Sequence, residues 1–288
     1  MEQREYTEEE IEGLHRVSLE MAEVFVEFCE EYGLLCYFCG GGCIGALRHK
    51  GFIPWDDDLD FFMPRDDYEK FVEYWNTYEK GKRYILSDTT EEYVDRNNFA
   101  TLRDSMTTQV KPYQQDLMDV PHGVALDVIP LDGYPDGKWQ RKEQVVWALI
   151  YSLFRAQTVP EKHGGLMAWG SRLLLGIFRG RKIRTRIWRY AKKQMTKYSI
   201  ADCKYITELC SGPYYMKKKY NAEWFAEALF VDFEGTKMPI PVGYDGYLRT
   251  AFGDYMELPP KEKQKAHHDC VELDLDKPCV GKEENHVK

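Results

Sequence analysis

Asp58 and Asp60 stand two residues apart at the start of a segment, residues 59–63, that has the apolar character of a buried strand. Because alternate residues of a strand face the same side, the two carboxylates would lie together and repel each other. A divalent cation would remove that cost, and carboxylate oxygens suit Mg²⁺ or Mn²⁺, which also bind substrate phosphates. Since Asp56 and Asp57 precede the pair, a solvated acidic loop fits the same residues.

Two other segments carry groups that would complement such a metal. Gly41 and Gly42 lie in a turn between an apolar strand, residues 34–38, and a short helix, residues 43–49. Glycines at that place let a phosphate approach backbone amides at the helix N-terminus, although a plain turn is equally consistent. Asp127 interrupts another apolar strand, and a carboxylate there needs a partner. It would be a third metal ligand, a general base, or a cap for a backbone group.

Apolar periodicity elsewhere predicts an α+β fold with a helical insertion. Four ranges are expected: a catalytic core (1–135), a basic helical subdomain (136–200), a segment completing the core (201–270) and a tail (271–288). The predicted elements are helices at 8–32, 43–49, 65–78 and 244–252, a helical region at 138–198, and strands at 34–38, 59–63, 84–87, 99–103, 124–129, 229–233 and 237–242.

The helical region is strongly basic. Residues 172–197 contain ten Lys and Arg interleaved with apolar residues, and no acidic residue lies between Glu161 and Asp202. Such a segment fits either contact with an anionic membrane surface or a solvated helical face, and the solvated face is favoured because basic amphipathic helices are common.

Composition narrows the class of protein. The net charge of −9 argues against nucleic-acid binding, and the high Tyr and Trp content predicts a substantial core. Residues 1–10 have no signal-peptide pattern and no apolar run is long enough to span a bilayer, so a cytoplasmic location is expected. The eight cysteines are expected as thiols. A zinc site from Cys36, Cys39 and Cys43, or from the later cysteines with His267 and His268, matches no zinc-ligand spacing.

The combined pattern closely resembles the LicD family, within the polymerase-beta-like nucleotidyltransferase superfamily. The resemblance rests on residues 41–60 (GGCIGALRHKGFIPWDDDLD), 63–68 (MPRDDY), 126–132 (LDVIPLD) and 252–260 (FGDYMELPP). It covers most of the chain outside the basic helical region. Cys43 stands where superfamily members often have Ser or Thr.

The resemblance implies transfer of a phospho-alcohol, most typically phosphocholine from CDP-choline, with release of CMP. The acceptor would be a hydroxyl of a cell-surface glycan, a teichoic-acid precursor or a lipid-linked oligosaccharide. The residue pattern leaves three alternatives open: nucleotidyl transfer to a small molecule or glycan, a glycosyltransferase that uses a nucleotide sugar, and an inactive binding protein.

Individual residues can be assigned to that chemistry. Asp58, Asp60 and Asp127 would hold the metal, and Asp127 could accept the acceptor's proton. The candidate substrate contacts are Gly41, Gly42, Arg48, Lys50 and Arg103 for phosphate, Trp55 for a quaternary ammonium, and Asp254 through the resemblance alone. The three basic residues could equally be surface charges, and Trp55 could pack under the acidic loop.

Overall fold

The computed structural model describes residues 3–115, 117, 120–159, 165–266 and 268–279. The helices are α1 (Glu8–Glu31), α2 (Gly40–Arg48), α3 (Arg65–Tyr74), α4 (Lys138–Ala156), α5 (Gly165–Ile177), α6 (Arg181–Met195) and α7 (Tyr244–Phe252). The strands are β1 (Tyr37–Phe38), β2 (Leu59–Pro64), β3 (Tyr84–Ser87), β4 (Ala100–Asp104), β5 (Thr108–Val110), β6 (Ala125–Tyr134), β7 (Tyr205–Thr207), β8 (Tyr220–Asn221), β9 (Ala228–Phe233), β10 (Thr236–Pro241) and β11 (Glu272–Asp274).

The central sheet is mixed, with strand order β1-β2-β6-β4-β3. Strands β2 and β6 are parallel, and the other neighbouring pairs are antiparallel. The far end of β6 also pairs with β7, which in turn pairs with β8. Helices pack against this sheet, so the expectation of an α+β protein is confirmed.

Helix α1 begins at a capping box. The Thr7 hydroxyl accepts a hydrogen bond from the backbone N–H of Glu10, and the Glu10 carboxylate accepts one from the N–H of Thr7. These contacts satisfy backbone donors that a helix start leaves free. Its apolar stripe, including Phe25 and Phe28, is buried in the main core. The helix ends before Gly33, which adopts a positive φ of 64° that glycine tolerates without steric cost.

A second, smaller apolar core lies between α4 and α6, together with residues that follow β7. Buried Gln144 on α4 connects the helices to the sheet, since its amide donates to the carbonyls of Gly133 on β6 and Met195 on α6. The predicted division into ranges 1–135, 136–200, 201–270 and 271–288 stays a prediction.

Several elements differ from expectation: the α-helix predicted at 65–78 ends at residue 74, the strand predicted at 124–129 runs on to residue 134, and three other differences follow. Only residues 37–38 of the predicted 34–38 strand pair with a neighbour, because Leu34 and Leu35 lead out of the turn at Gly33 before reaching the sheet. Helix α2 starts at Gly40, so the glycines form its first turn and do not precede it. Part of the expected tail is ordered, because β11 pairs with β5 and its backbone groups find hydrogen-bond partners there. A short charged segment carries no sequence signal for that pairing. Residues 280–288 of that tail, and His267, lie outside the described residues.

Among the described residues, no helix combines the length and apolarity needed to cross a bilayer.

Candidate active site

Two neighbouring parallel strands carry the predicted carboxylates. Asp60 on β2 and Asp127 on β6 are direct register partners, and Asp58 precedes Asp60 by two residues. Register partners point to the same face of a sheet, so Asp60 and Asp127 lie side by side. Residues 58, 60 and 127 are all partly buried. The structure therefore brings together the three residues that the sequence singled out.

Electrostatics at Asp58, Asp60 and Asp127, which we call the acidic row, favour a bound cation. Burial, reinforced by the charges of Asp58 and Asp127, raises the pKa of Asp60 well above its ordinary value. Burial also raises the pKa of Asp58 to about 6, with further contributions from Asp56 and Asp57. Carboxylates that destabilise one another in this way become stable as anions when a divalent ion lies between them.

Lys111 is a buried cation that the sequence analysis missed. It follows β5 and is only 8% exposed, and its charge opposes the upward pKa shifts of both Asp58 and Asp60. A lone lysine before a proline carries no recognisable signal.

His268 was also not assigned to the acidic row by sequence. Its Nδ1 lies 2.9 Å from an oxygen of Asp57 and 3.3 Å from an oxygen of Asp58. One ligand atom from each of these three residues falls within 4.8 Å of the others, so the group could hold a metal ion. Asp58 therefore belongs both to this triad and to the set predicted with Asp60 and Asp127. Asp57, which by sequence also fitted a solvated acidic loop, has a fully buried side chain.

Strand β4 continues the polar row on the other side of β6. Thr101 is the register partner of Asp127, and its hydroxyl donates a 2.7 Å hydrogen bond to Asp127 Oδ1. Arg103 lies two residues along the same strand and so faces the same side. It is 2% exposed, and its Nε has no hydrogen-bond partner among the described residues. A buried guanidinium in that situation suits an anionic ligand.

The glycine segment lies directly beside the acidic row. The backbone N–H of Cys39 donates to the carbonyl of Asp60, and α2 starts at the next residue. A helix N-terminus leaves amides free to bind an anion, here those of Gly41 and Gly42. A Cβ at Gly41 would lie 1.8 Å from an oxygen of Asp56, so a larger residue there would force that buried side chain to move.

Helix α1 fixes the acidic loop from the other side. His15 stacks on Phe52, with ring centroids 4.0 Å apart, and its Nε2 lies 2.7 Å from the carbonyl oxygen of Asp56. The loop that leads into β2 is thus held between α1 and α2, which limits the movement of the aspartates.

The remaining candidates lie farther along α2 and its surroundings. Arg48, at the C-terminal end of α2, donates to the carbonyls of Tyr255 and Glu257, so it holds the loop that follows α7. Lys50 is exposed. Trp55 is half-buried with its ring edge-on to a histidine, and Asp254 is exposed. The structure does not place these four in the row formed by Asp60, Asp127 and Thr101.

A further buried carboxyl, Glu208, lies just after β7. It is 3% exposed and accepts a hydrogen bond from the Tyr220 hydroxyl. Burial raises its pKa to about 7. Burial, with the charges of Asp60 and Glu208, raises the pKa of Cys39, so both carboxyls lie near that thiol. Nothing in the sequence distinguishes Glu208, which looks like an ordinary loop residue.

All eight cysteines are free thiols, as expected. Cys36, Cys39 and Cys43 are buried, and within the described ranges they form no three-residue ligand group with one another.

Comparison with known proteins agrees with these motifs. Residues 33–135 match the family described as LicD/FKTN/FKRP, nucleotidyltransferase domain. The chain is also similar to lipopolysaccharide cholinephosphotransferase LicD of Haemophilus influenzae. The two are 30% identical over 263 residues, which cover 88% of this chain and 93% of the relative. With the glycine segment and the acidic row in place, this chain belongs to the LicD family of transferases.

Proposed function

We propose that the chain transfers phosphocholine from CDP-choline to a hydroxyl of a cell-surface glycan or of a glycan or teichoic-acid precursor. The observation that carries the proposal is the in-register pairing of Asp60 with Asp127 beside Asp58. The name of the Haemophilus influenzae relative supports phosphocholine as the transferred group. On this proposal the core is a polymerase-beta-like nucleotidyltransferase fold adapted to a CDP-alcohol.

The metal ligands would be Asp58, Asp60 and Asp127, with Mg²⁺ or Mn²⁺ as the ion. The fit is supported by the raised pKa values of Asp58 and Asp60, because Lys111 only partly offsets the cost of placing these acids close together in a buried site. When bound, the ion would neutralise diphosphate charge and assist departure of CMP. His268 would orient Asp57 and Asp58 through its contacts to both carboxylates.

The chain's own groups then position the diphosphate. Free amides at Gly41 and Gly42 and the buried guanidinium of Arg103 would bind phosphate oxygens. Lys111 would add positive charge at the same end of the sheet. Arg48 and Lys50 remain candidates for outer contacts to the donor.

Two residues are proposed to contact other parts of the substrates. Trp55 would present its ring to the quaternary ammonium of choline, which favours aromatic faces. Asp254, exposed beyond α7, would face the open side of the site.

Transfer requires removal of a proton from the acceptor hydroxyl. The hydroxyl oxygen forms a bond to the phosphorus of phosphocholine, the bond from that phosphorus to the bridging oxygen breaks, and CMP leaves with that oxygen. Asp127 would accept the proton, because Thr101 occupies only one of its two carboxylate oxygens. The Thr101 hydroxyl would hold Asp127 in a fixed orientation.

Release of CMP from CDP-choline in the presence of Mg²⁺ tests the proposal. Asp60→Asn should abolish CMP release without unfolding the protein, whereas Asp66→Asn, at an exposed acid on α3, should leave it unchanged. Absence of turnover with every CDP-alcohol, together with absence of metal-dependent CDP binding, would refute it. Release of pyrophosphate from a nucleoside triphosphate would instead indicate nucleotidyl transfer, and turnover of a nucleotide sugar would indicate a glycosyltransferase.

A further inference from the structure

Helix α5 and its junction with α6 leave a stripe of large apolar side chains on the surface. Trp169, Leu173 and Ile177 follow one another at intervals of four residues and are 63%, 47% and 62% exposed. That spacing places them on one face of the helix. Ile183, early in α6, is 47% exposed. A grouped apolar surface of this kind marks a contact site in most proteins.

The exposure does not come from a poorly attached helix. Leu175, on another face of α5, packs against the smaller core between α4 and α6. Phe178, just after α5, contacts Phe154 with ring centroids 5.8 Å apart. Arg184 of α6 donates hydrogen bonds to the carbonyls of Leu175 and Phe178, which holds the C-terminal end of α5. The C-terminal end of α5, which carries Ile177, is therefore fixed against the neighbouring helices.

Exposed basic residues follow this stripe along the chain. Arg179 and Lys182 lie at the junction of the two helices, and exposed Arg186, Arg189 and Lys193 follow on α6. No acidic residue occurs between Glu161 and Asp202, although the whole chain carries a net charge of −9. The positive charge is thus concentrated where the apolar side chains are exposed.

The combination selects one kind of partner. A polyanion such as nucleic acid would pair with the charges and leave the apolar stripe in water. A second copy meeting through the same face would bring like charges together. An anionic bilayer surface satisfies both features, because headgroups attract the basic residues while the interface takes up apolar side chains.

We propose that the α5–α6 junction docks on an anionic membrane surface. Trp169, Leu173, Ile177 and Ile183 enter the interfacial region, and Arg179 and Lys182 contact headgroup phosphates. The helix lies on the surface, since no described helix has the length and apolarity to cross it. This inference uses none of the residues assigned to catalysis and does not depend on the proposed transfer reaction.

Co-sedimentation of the full chain with vesicles provides the test. Phosphatidylcholine vesicles containing phosphatidylglycerol should bind the protein, vesicles of phosphatidylcholine alone should not, and binding should weaken as salt is added. The apolar variant Leu173→Ser/Ile177→Ser should lose binding. The matched control Trp139→Ser/Val146→Ser, at exposed apolar positions of α4, should retain it.

A second pair of variants tests how much the basic residues contribute to vesicle binding. Arg179→Gln/Lys182→Gln should weaken binding about 30-fold, as expected for two basic residues near an anionic surface. Lys261→Gln/Lys263→Gln, at exposed positions outside the helical region, should have no effect. Circular dichroism establishes that each variant is folded.

Several results would overturn the proposal. They are failure to bind phosphatidylglycerol vesicles at low salt, equal binding to both vesicle types, and undiminished binding of the folded apolar variant. Sedimentation velocity without vesicles tests the remaining alternative, in which a second copy of the chain occupies the stripe. A dimer that Leu173→Ser/Ile177→Ser dissociates would assign the stripe to a second copy of the chain.

Discussion

Replacement of Glu208 by Gln should change how stability depends on pH. Burial raises the pKa of Glu208 from 4.5 to about 7. A carboxyl with a folded-state pKa above its unfolded value contributes stability that is complete below pH 4.5 and is lost as pH rises through about 7. Gln cannot ionise, and its amide oxygen can still accept the hydrogen bond from Tyr220.

The size of the effect follows from the shift. A change of about 2.5 pKa units at about 1.4 kcal/mol per unit gives on the order of 3 kcal/mol. The free energy of unfolding of Glu208→Gln, relative to the unsubstituted protein, should therefore rise by on the order of 3 kcal/mol between acidic and mildly alkaline pH. The two proteins should be most similar at acidic pH, where Glu208 is protonated.

Urea unfolding at a series of pH values measures this difference. Comparison of two proteins at each pH removes the contribution of all other titrating groups, and Glu227→Gln, at an exposed glutamate, serves as the control. A stability difference for Glu208→Gln that stays constant with pH, or that falls as pH rises, would refute the assignment of a raised pKa to this carboxyl.

Three further results are expected. Arg65→Leu should lower the free energy of unfolding by about 3–5 kcal/mol, because it leaves buried Asp132 without the two hydrogen bonds it now accepts. In urea unfolding, the double variant Arg65→Leu/Asp132→Leu should regain most of that loss. Equal losses in the single and double variants would contradict this prediction. Thr101→Val should lower the rate of CMP release about tenfold with little change in thermal stability, because Asp127 loses its hydrogen bond. An unchanged rate would refute the role of Thr101 in orienting Asp127. Chelation should stop CMP release, and added Mg²⁺ should restore it. The variant His268→Asn should need more Mg²⁺ for that recovery than the unsubstituted protein. Activity that survives chelation would exclude a metal.

Local patterns predicted much of the fold. Strand β3 and helix α7 have the expected bounds, since each has clear apolar periodicity and distinct ends. The sequence predicted that Asp60 and Asp127 share a partner, because a charged residue in a buried strand needs one. The register that makes them direct neighbours depends on the whole sheet and has no local signal.

Residues contributed from distant segments were the ones missed. Lys111 and His268 reach the acidic row through β5 and the segment before β11, and nothing in their immediate surroundings indicates that destination. For the exposed face of α5, the sequence left a membrane contact and a solvated helical face both open. Its apolar residues resemble core positions until the structure establishes that α4 and α6 pack mainly on each other and leave that face in solvent.

The contact between Asp57 and His268 also has a consequence for synthesis of the protein. The two residues are 211 positions apart in the chain. At roughly 5–20 residues per second, the ribosome makes the acidic loop some 10 to 40 s before it makes the histidine. Nascent chains therefore carry the aspartates without this partner, and the acidic loop gains its contact with His268 only after that later segment has been made.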